Sequence, residues 1–140
     1  MTDLTGTIEK ELSNRIRKLL EQVLLLKLHP RSLVQVTIQL QESTRSTSKP
    51  RGELKGFLHG SVVAAMINAA SCCLLDASSI ATGAMVCAVG IGRKRTTGAL
   101  EVDPDPVDER CESIGCFAFV YRQGNEGDIA WVEKGVAPLR

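Results

Sequence analysis

The chain contains 140 residues, of which 44% are hydrophobic and 24% are charged, and its formal net charge is +1. A chain of this length can bury one modest core, and the near balance of charges argues against a free-standing nucleic-acid-binding domain, which would normally be strongly basic. The aromatic content of 4% also argues against a surface that binds single strands by base stacking.

The first predicted elements are an amphipathic helix and a strand. Residues 7–28 place apolar side chains on one helix face at three- and four-residue steps, namely Ile8, Leu12, Ile16, Leu19, Leu20, Val23 and Leu24. Pro30 ends this helix, because the residue before a proline is disfavoured in helical geometry. Residues 33–41 then alternate apolar and polar side chains, which predicts a strand with one buried face.

A polar loop and a second helix follow. Residues 42–55 are rich in Ser, Thr and basic residues and predict a long loop, which is either functional or a tolerated surface insertion. Residues 61–77 are small and apolar on nearly every side, which is typical of a buried helix. The junction before this helix is a candidate phosphate site, because a helix N-terminus attracts anions.

The second half of the chain predicts four strands. The apolar run at residues 84–92 suggests a central strand buried on both faces, and a turn at 93–98 leads to a short strand at 99–102. After a loop with two prolines at 103–109, alternating strands on either side of a turn at 123–127 predict a hairpin. We therefore expect a single α/β domain over residues 1–140.

The cysteines and the apolar runs indicate a soluble intracellular protein. The five cysteines are odd in number, contain no C-x-x-C pair and predict reduced, packed thiols without a metal site. The longest apolar run, from Val62 to Leu75, contains Asn68 and Ser71 and is too short to cross a bilayer. We expect no cofactor, no metal and no membrane partner.

Three segments, at residues 29–41, 65–77 and 102–104, resemble the RNase PH-like fold, which is of the ribosomal protein S5 domain 2-like type. Among its members, the likeness is strongest to the ring subunits of the eukaryotic RNA exosome. The resemblance covers residues 8–136 and implies a mixed sheet packed with helices. Because family members begin with several strands and finish with a long helix, it implies a partial domain, truncated at both ends. Such a chain is expected to be stable only beside its neighbours.

The resemblance also assigns the candidate catalytic positions. In active, phosphate-dependent members, an arginine at the start of the helix binds the attacking phosphate, and its position falls on Val63 here. A second family element is an acidic pair, and its positions match Asp103 and Glu109. These residues either act as a general acid or as Mg²⁺ ligands, or they belong to a surface loop that is retained for its turns. Because valine cannot pair with an anion, we favour the surface loop and a catalytically inactive homologue.

The leading hypothesis is therefore a non-catalytic subunit of the exosome ring. The resemblance implies other RNase PH-like subunits, cap subunits of S1 and KH type, a hydrolytic nuclease and RNA as partners, and localisation to the nucleus, nucleolus and cytoplasm. Residues that either contact RNA or are plain surface charge are Arg51, Lys55, Arg93, Lys94 and Arg95. The alternatives are an active phosphorolytic 3′-to-5′ exoribonuclease and a self-associating α/β module without a role on RNA.

Overall fold

The computed structural model describes residues 4–40, 53–54, 57–105, 111–124 and 127–136. Its elements in chain order are α1 (Leu4–Glu21), a short 3₁₀ helix (Leu26–Leu28), β1 (Glu53–Leu54), β2 (Phe57–Leu58), α2 (Gly60–Asp76), β3 (Met85–Lys94), β4 (Leu100–Val102), β5 (Cys111–Tyr121) and β6 (Asp128–Val136). The fold class is mixed α/β, as predicted, and is consistent with an RNase PH-like domain. None of its helices is long and apolar enough to cross a membrane within the described part of the chain.

The main sheet is antiparallel, with the strand order β4-β3-β5-β6. β3 and β5 form its centre, with Ala88 opposite Ala118, and β5 continues into the predicted hairpin with β6. β1 and β2 form a separate two-stranded pair close to the end of the predicted 42–55 loop. Strand β3 extends through Arg93 and Lys94, so the turn predicted at 93–98 begins later.

The hydrophobic core lies between one face of this sheet and the two helices. We call this face the inner face; the buried residues are Leu12, Ile16, Leu19 and Leu20 of α1, Val63, Ala64, Ile67, Ala70 and Leu74 of α2, and Val86, Ala88, Cys116, Ala118 and Val120 of the sheet. The side chain of Ile67 is 0% exposed and marks the centre of the core. The nearly all-round apolar sequence of α2 is explained by this position between α1 and the sheet.

The prediction that β3 is buried on both faces was wrong. Its residues alternate between buried and partly exposed positions, because the helices cover only the inner face. The opposite face, which we call the outer face, carries partly or fully exposed apolar side chains on all four strands: Met85, Cys87, Val89, Ile91, Leu100, Val102, Phe117, Phe119, Ile129 and Val132. The continuous apolar run therefore indicated apolar side chains on both faces of β3, but it did not show that the helices cover only one face.

The helix predicted at 7–28 is interrupted. Helix α1 ends before Leu24 and Leu25, whose backbones pair with the segment that leads into β3: Leu24 bridges Thr82, and the Leu25 N–H donates to the Ala81 carbonyl at 3.0 Å. These hydrogen bonds replace helical ones and allow only a short 3₁₀ turn afterwards. The sequence predicted a longer helix because Val23, which follows α1, is also buried in the core and continues the apolar spacing.

The strand predicted at 33–41 was also wrong for the residues that are described. Residues 33–40 form no regular secondary structure, and no described strand lies beside them to complete a ladder. Val34 and Ile38 nevertheless pack against the core, whereas Val36 and Leu40, the other apolar residues of the alternation, are exposed. Gln41 lies outside the described residues.

Two polar side chains of α2 satisfy the backbone of β3 on the side away from β5. The side-chain amide of Asn68 donates to the Ala88 carbonyl at 2.8 Å and accepts from the Ala88 N–H at 2.7 Å. The Ser71 hydroxyl accepts from the Val86 N–H at 3.3 Å. The short β4 pairs only with Ile91 to Arg93, so these side chains substitute for a neighbouring strand. This explains the two polar residues inside an otherwise apolar helix.

Candidate functional site at the start of the second helix

His59 caps the N-terminus of α2. Its Nδ1 accepts a hydrogen bond from the Ser61 N–H at 3.3 Å, which satisfies one of the free amides at the helix start. The Ser61 hydroxyl donates to the Pro104 carbonyl at 3.0 Å and so ties the helix to the acidic loop after β4. Both side chains are buried, and the N–H groups of Ser61, Val62 and Val63 all donate to His59.

The start of α2 also packs directly against the sheet. A Cβ on Gly90 would lie 2.6 Å from the Ser61 Oγ and 2.8 Å from its Cα, and a Cβ on Gly60 would lie 2.8 Å from the backbone of Gly115. Both glycines therefore permit a close approach that any larger residue would prevent. The helix start is a packed junction between α2, β3 and β5.

Val63, at the position where the resemblance implies a phosphate-binding arginine, lies in the core. Its side chain is 3% exposed and belongs to the main hydrophobic cluster. An arginine in this orientation would enter the core and not the space in front of the helix. The residue is therefore a packing residue in this chain.

The structure brings Asp103 close to this junction. Its N–H donates to the Gly90 carbonyl at 2.7 Å, and its backbone adopts a positive φ of 52°, which aspartate tolerates better than most residues. The side chain is exposed. Asp103 thus anchors the acidic loop beside α2, whereas its predicted partner, Glu109, lies outside the described residues.

Burial keeps His59 neutral. The ring is 3% exposed, and desolvation lowers its pKa, while the nearby charges of Asp105 and Asp103 act in the opposite direction. Because Nδ1 accepts a hydrogen bond, the proton of the neutral ring lies on Nε2. Nε2 is buried and has no hydrogen-bond partner among the described residues. The described groups at the helix start are thus an imidazole, a hydroxyl and two carboxylates, none of which is a cation at neutral pH.

We expect the free energy of unfolding to fall as the pH is lowered below 6.5, the ordinary pKa of histidine. Unfolded His59 takes up a proton there, whereas the folded ring, with its lowered pKa, does not, so acid favours the unfolded chain. The loss should be at most about 1.4 kcal/mol per pH unit and should stop at the folded pKa. Urea unfolding at about pH 7.5 and about pH 5.5 measures it.

The His59→Asn variant is the matched control for this pH dependence. Asparagine accepts a hydrogen bond as an N-cap but does not titrate. The variant should therefore lose most of the difference between the two pH values. An equal pH dependence in the variant and the wild type would show that His59 is not its source.

The basic candidates that are described lie around the β3–β4 turn. Arg93 and Arg95 are exposed, and the Lys94 ammonium pairs with Glu101 at 3.4 Å. The exposed location is compatible with an RNA contact and equally with ordinary surface charge. Arg51 and Lys55 lie outside the described residues.

The cysteines occupy different environments. Cys72 and Cys73 are exposed, Cys87 is half-buried, and Cys111 and Cys116 are buried. Burial, assisted by the charge of Glu133, raises the pKa of the Cys116 thiol to about 12, so this residue behaves as an unreactive core side chain. Within the described ranges, no group of three or more His, Cys, Asp or Glu residues is arranged to hold a metal ion.

The chain is similar to a known protein over part of that protein's length. Exosome complex component rrp46 of Schizosaccharomyces pombe is 33% identical to the chain over 114 residues. The chain is thus similar to an exosome component. The matched region covers 81% of the chain but 44% of the relative, so the chain spans less than half of that protein's length. No protein-family model matches the chain.

Sequence reasoning missed two residues that organise this region. His59 was not recognised as the cap because histidine is an uncommon N-cap, and no sequence pattern separates it from a surface residue. Asn68 was part of the resemblance, but its role depends on the unpaired backbone of Ala88, which the sequence does not reveal. An isolated Asn within a small apolar helix is the signal that could have raised the question.

Proposed function

We propose that this chain is a non-catalytic structural subunit of an exosome ring, where it supports 3′-to-5′ RNA processing by a separate nuclease. The similarity to an exosome component supports membership of such a complex. The observation that carries the non-catalytic assignment is the closed start of α2, where His59 caps the helix and Val63 lies in the core.

Phosphorolysis requires a bound phosphate whose charge is neutralised next to the scissile bond. In this chain the helix start is packed against Gly90, and Val63, at the position implied for the arginine, is buried in the core. These features support an inactive homologue, in which Asp103 serves the geometry of the loop.

The exposed apolar outer face of the sheet supports the role of a subunit. Contiguous apolar surfaces larger than a few hundred Å² are rare on monomers and commonly mark protein interfaces. The outer face spans four strands and includes Leu100, Val102 and Ile129, which are 74%, 69% and 66% exposed. Other RNase PH-like subunits are the partners we propose for it.

The remaining assignments extend this proposal. Arg93, Lys94 and Arg95 are the described candidates for contact with RNA in the assembled ring; Lys94 pairs with Glu101, whereas Arg93 and Arg95 have no ion-pair partner among the described residues. Cap subunits of S1 and KH type and a hydrolytic nuclease complete the proposed complex. Nucleus, nucleolus and cytoplasm are its proposed locations.

A phosphorolysis assay tests the non-catalytic assignment. The full chain, assembled with its RNase PH-like partners, is incubated with single-stranded RNA, inorganic phosphate and Mg²⁺, beside a phosphorolytic exoribonuclease as a positive control. We expect no phosphate-dependent release of nucleoside diphosphates above that of a complex prepared with Asp103→Asn. Release that the Asp103→Asn variant abolishes would establish the active exoribonuclease instead.

A further inference from the structure

A crevice lies between helix α1 and strand β6. Its volume is about 260 Å³, below the range of about 300–1,000 Å³ that is typical of pockets for drug-sized ligands. The residues that line it are Arg15, Lys18, Leu19, Gln22, Ala130 and Trp131. The crevice can therefore take one group about as large as an aromatic ring with a short polar chain.

The apolar part of the lining is built by a β-bulge in β6. Trp131 lies opposite Ala118, whereas Ile129 lies opposite Phe119, so Ala130 is an extra residue without an opposite partner in β5. Bulges re-aim side chains and are common beside functional sites. Here Ala130 and Trp131 both line the crevice and pack against the core. Because alanine is small, an apolar group can lie beside the indole ring.

The charged part of the lining is cationic. Arg15 pairs with Glu11 at 2.5 Å and with Glu133 at 3.3 Å, which holds its guanidinium in place and balances its charge. Lys18 has no ion-pair partner among the described residues, and neither glutamate lines the crevice. A single free ammonium beside apolar walls favours a monoanion over a phosphate, whose second charge would meet no further free cation.

We propose that this crevice binds a carboxylate carried on an apolar body, with the carboxylate at Lys18 and the apolar group against Ala130 and Trp131. The Gln22 amide can donate to the second carboxylate oxygen. Free aromatic or branched acids and the C-terminal residue of a protein both offer this chemistry. The crevice shares no residue with the outer face or with the start of α2, so the proposal goes beyond the proposed function and does not rest on it.

The fluorescence of Trp131 can measure this binding, because it is the sole tryptophan of the chain. The full chain is titrated with 3-phenylpropionate and with 3-phenylpropionamide, a neutral ligand of the same shape. We expect the acid to bind with a Kd on the order of 1 mM. The amide should bind at least about tenfold more weakly, because it loses the charge-assisted hydrogen bond. Equilibrium dialysis should give the same two constants without relying on the indole ring.

Lys18→Met separates the charged part of the site from the apolar part. It removes the charge but keeps a long apolar side chain, so it should weaken binding of the acid about tenfold and leave binding of the amide unchanged. Lys10→Met is the matched control, since Lys10 is also exposed on α1 but does not line the crevice. Ala130→Leu should fill the crevice and weaken both ligands at least about tenfold. Circular dichroism should confirm that each variant is folded.

A peptide distinguishes the two sources of the carboxylate. N-acetyl-alanylphenylalanine with a free C-terminus is titrated beside its C-terminal amide. Tighter binding of this peptide than of 3-phenylpropionate would identify a protein C-terminus as the ligand. Weaker binding of the peptide would identify a free acid.

Three results would overturn the proposal. The first is that neither carboxylate binds, by fluorescence and by dialysis, at concentrations about tenfold above the expected Kd. The second is equal affinity of the wild-type chain for the acid and the amide. The third is an equal effect of Lys18→Met and Lys10→Met on binding of the acid.

Discussion

Replacing Val63 by arginine is expected to destabilise the fold and to create no phosphate-dependent activity. The side chain of Val63 is 3% exposed inside the main apolar cluster, so the substitution would bury an unpaired guanidinium. An uncompensated buried charge costs about 3 kcal/mol or more. Urea unfolding measures the loss of stability, and the phosphorolysis assay tests for a gain of activity.

Ala65→Arg is the matched control for Val63→Arg. Ala65 lies two residues further along α2 and is exposed, so its arginine can remain in water and should change the free energy of unfolding by about 0.5 kcal/mol or less. If Val63→Arg were as stable as Ala65→Arg and released nucleoside diphosphates with phosphate, the helix start would be an anion site that had lost only its arginine. The assignment of Val63 to packing would then be wrong.

Replacing Asn68 by alanine should cost about 2 to 4 kcal/mol of unfolding free energy. The substitution removes both hydrogen bonds to Ala88 and leaves a partly buried N–H and carbonyl on β3 without partners. The same substitution at Asn14, which is exposed on α1, is the control and should change stability by about 0.5 kcal/mol or less. Urea unfolding of both variants gives the comparison.

Asn68→Asp separates the two hydrogen bonds. A carboxylate accepts from the Ala88 N–H but faces the Ala88 carbonyl without a proton to donate, so the variant should be destabilised at neutral pH. Protonation of the carboxyl restores a donor, and the deficit relative to wild type should shrink in acid. A deficit that is independent of pH, or an Asn68→Ala variant as stable as wild type, would contradict the role assigned to Asn68.

The elements with a regular apolar pattern could be predicted from the sequence, because each of them packs against another helix or strand of the same chain. Helix α2 and strands β3 to β6 were predicted within a few residues of their observed bounds. The apolar periodicity of these elements indicates which of their side chains are buried, and those side chains form the described core.

Whether residues 33–41 form a strand could not be predicted from their apolar pattern alone. Their alternation predicted a buried face, of which Val34 and Ile38 pack against the core while Val36 and Leu40 are exposed, and strand formation also requires a neighbouring backbone. No pattern within the segment says whether that neighbour is present. The two-sided burial expected for β3 failed for the same reason, because the sequence records an apolar outer face without recording what covers it.

The candidate site was predicted in part. Counting along the helix placed Val63 at the arginine position, but the sequence could not show that the side chain points into the core. The proximity of Asp103 to the helix start arises from its hydrogen bond to Gly90. The capping role of His59 depends on a contact that has no sequence signature.

The composition of the native complex tests the proposed function most directly. The full chain carries an affinity tag and is purified from cells that express it, and quantitative mass spectrometry determines the stoichiometry of the proteins that remain bound at moderate salt. We expect equimolar RNase PH-like exosome subunits together with cap subunits. A folded, soluble chain recovered alone, or only with further copies of itself, would contradict membership of an exosome ring.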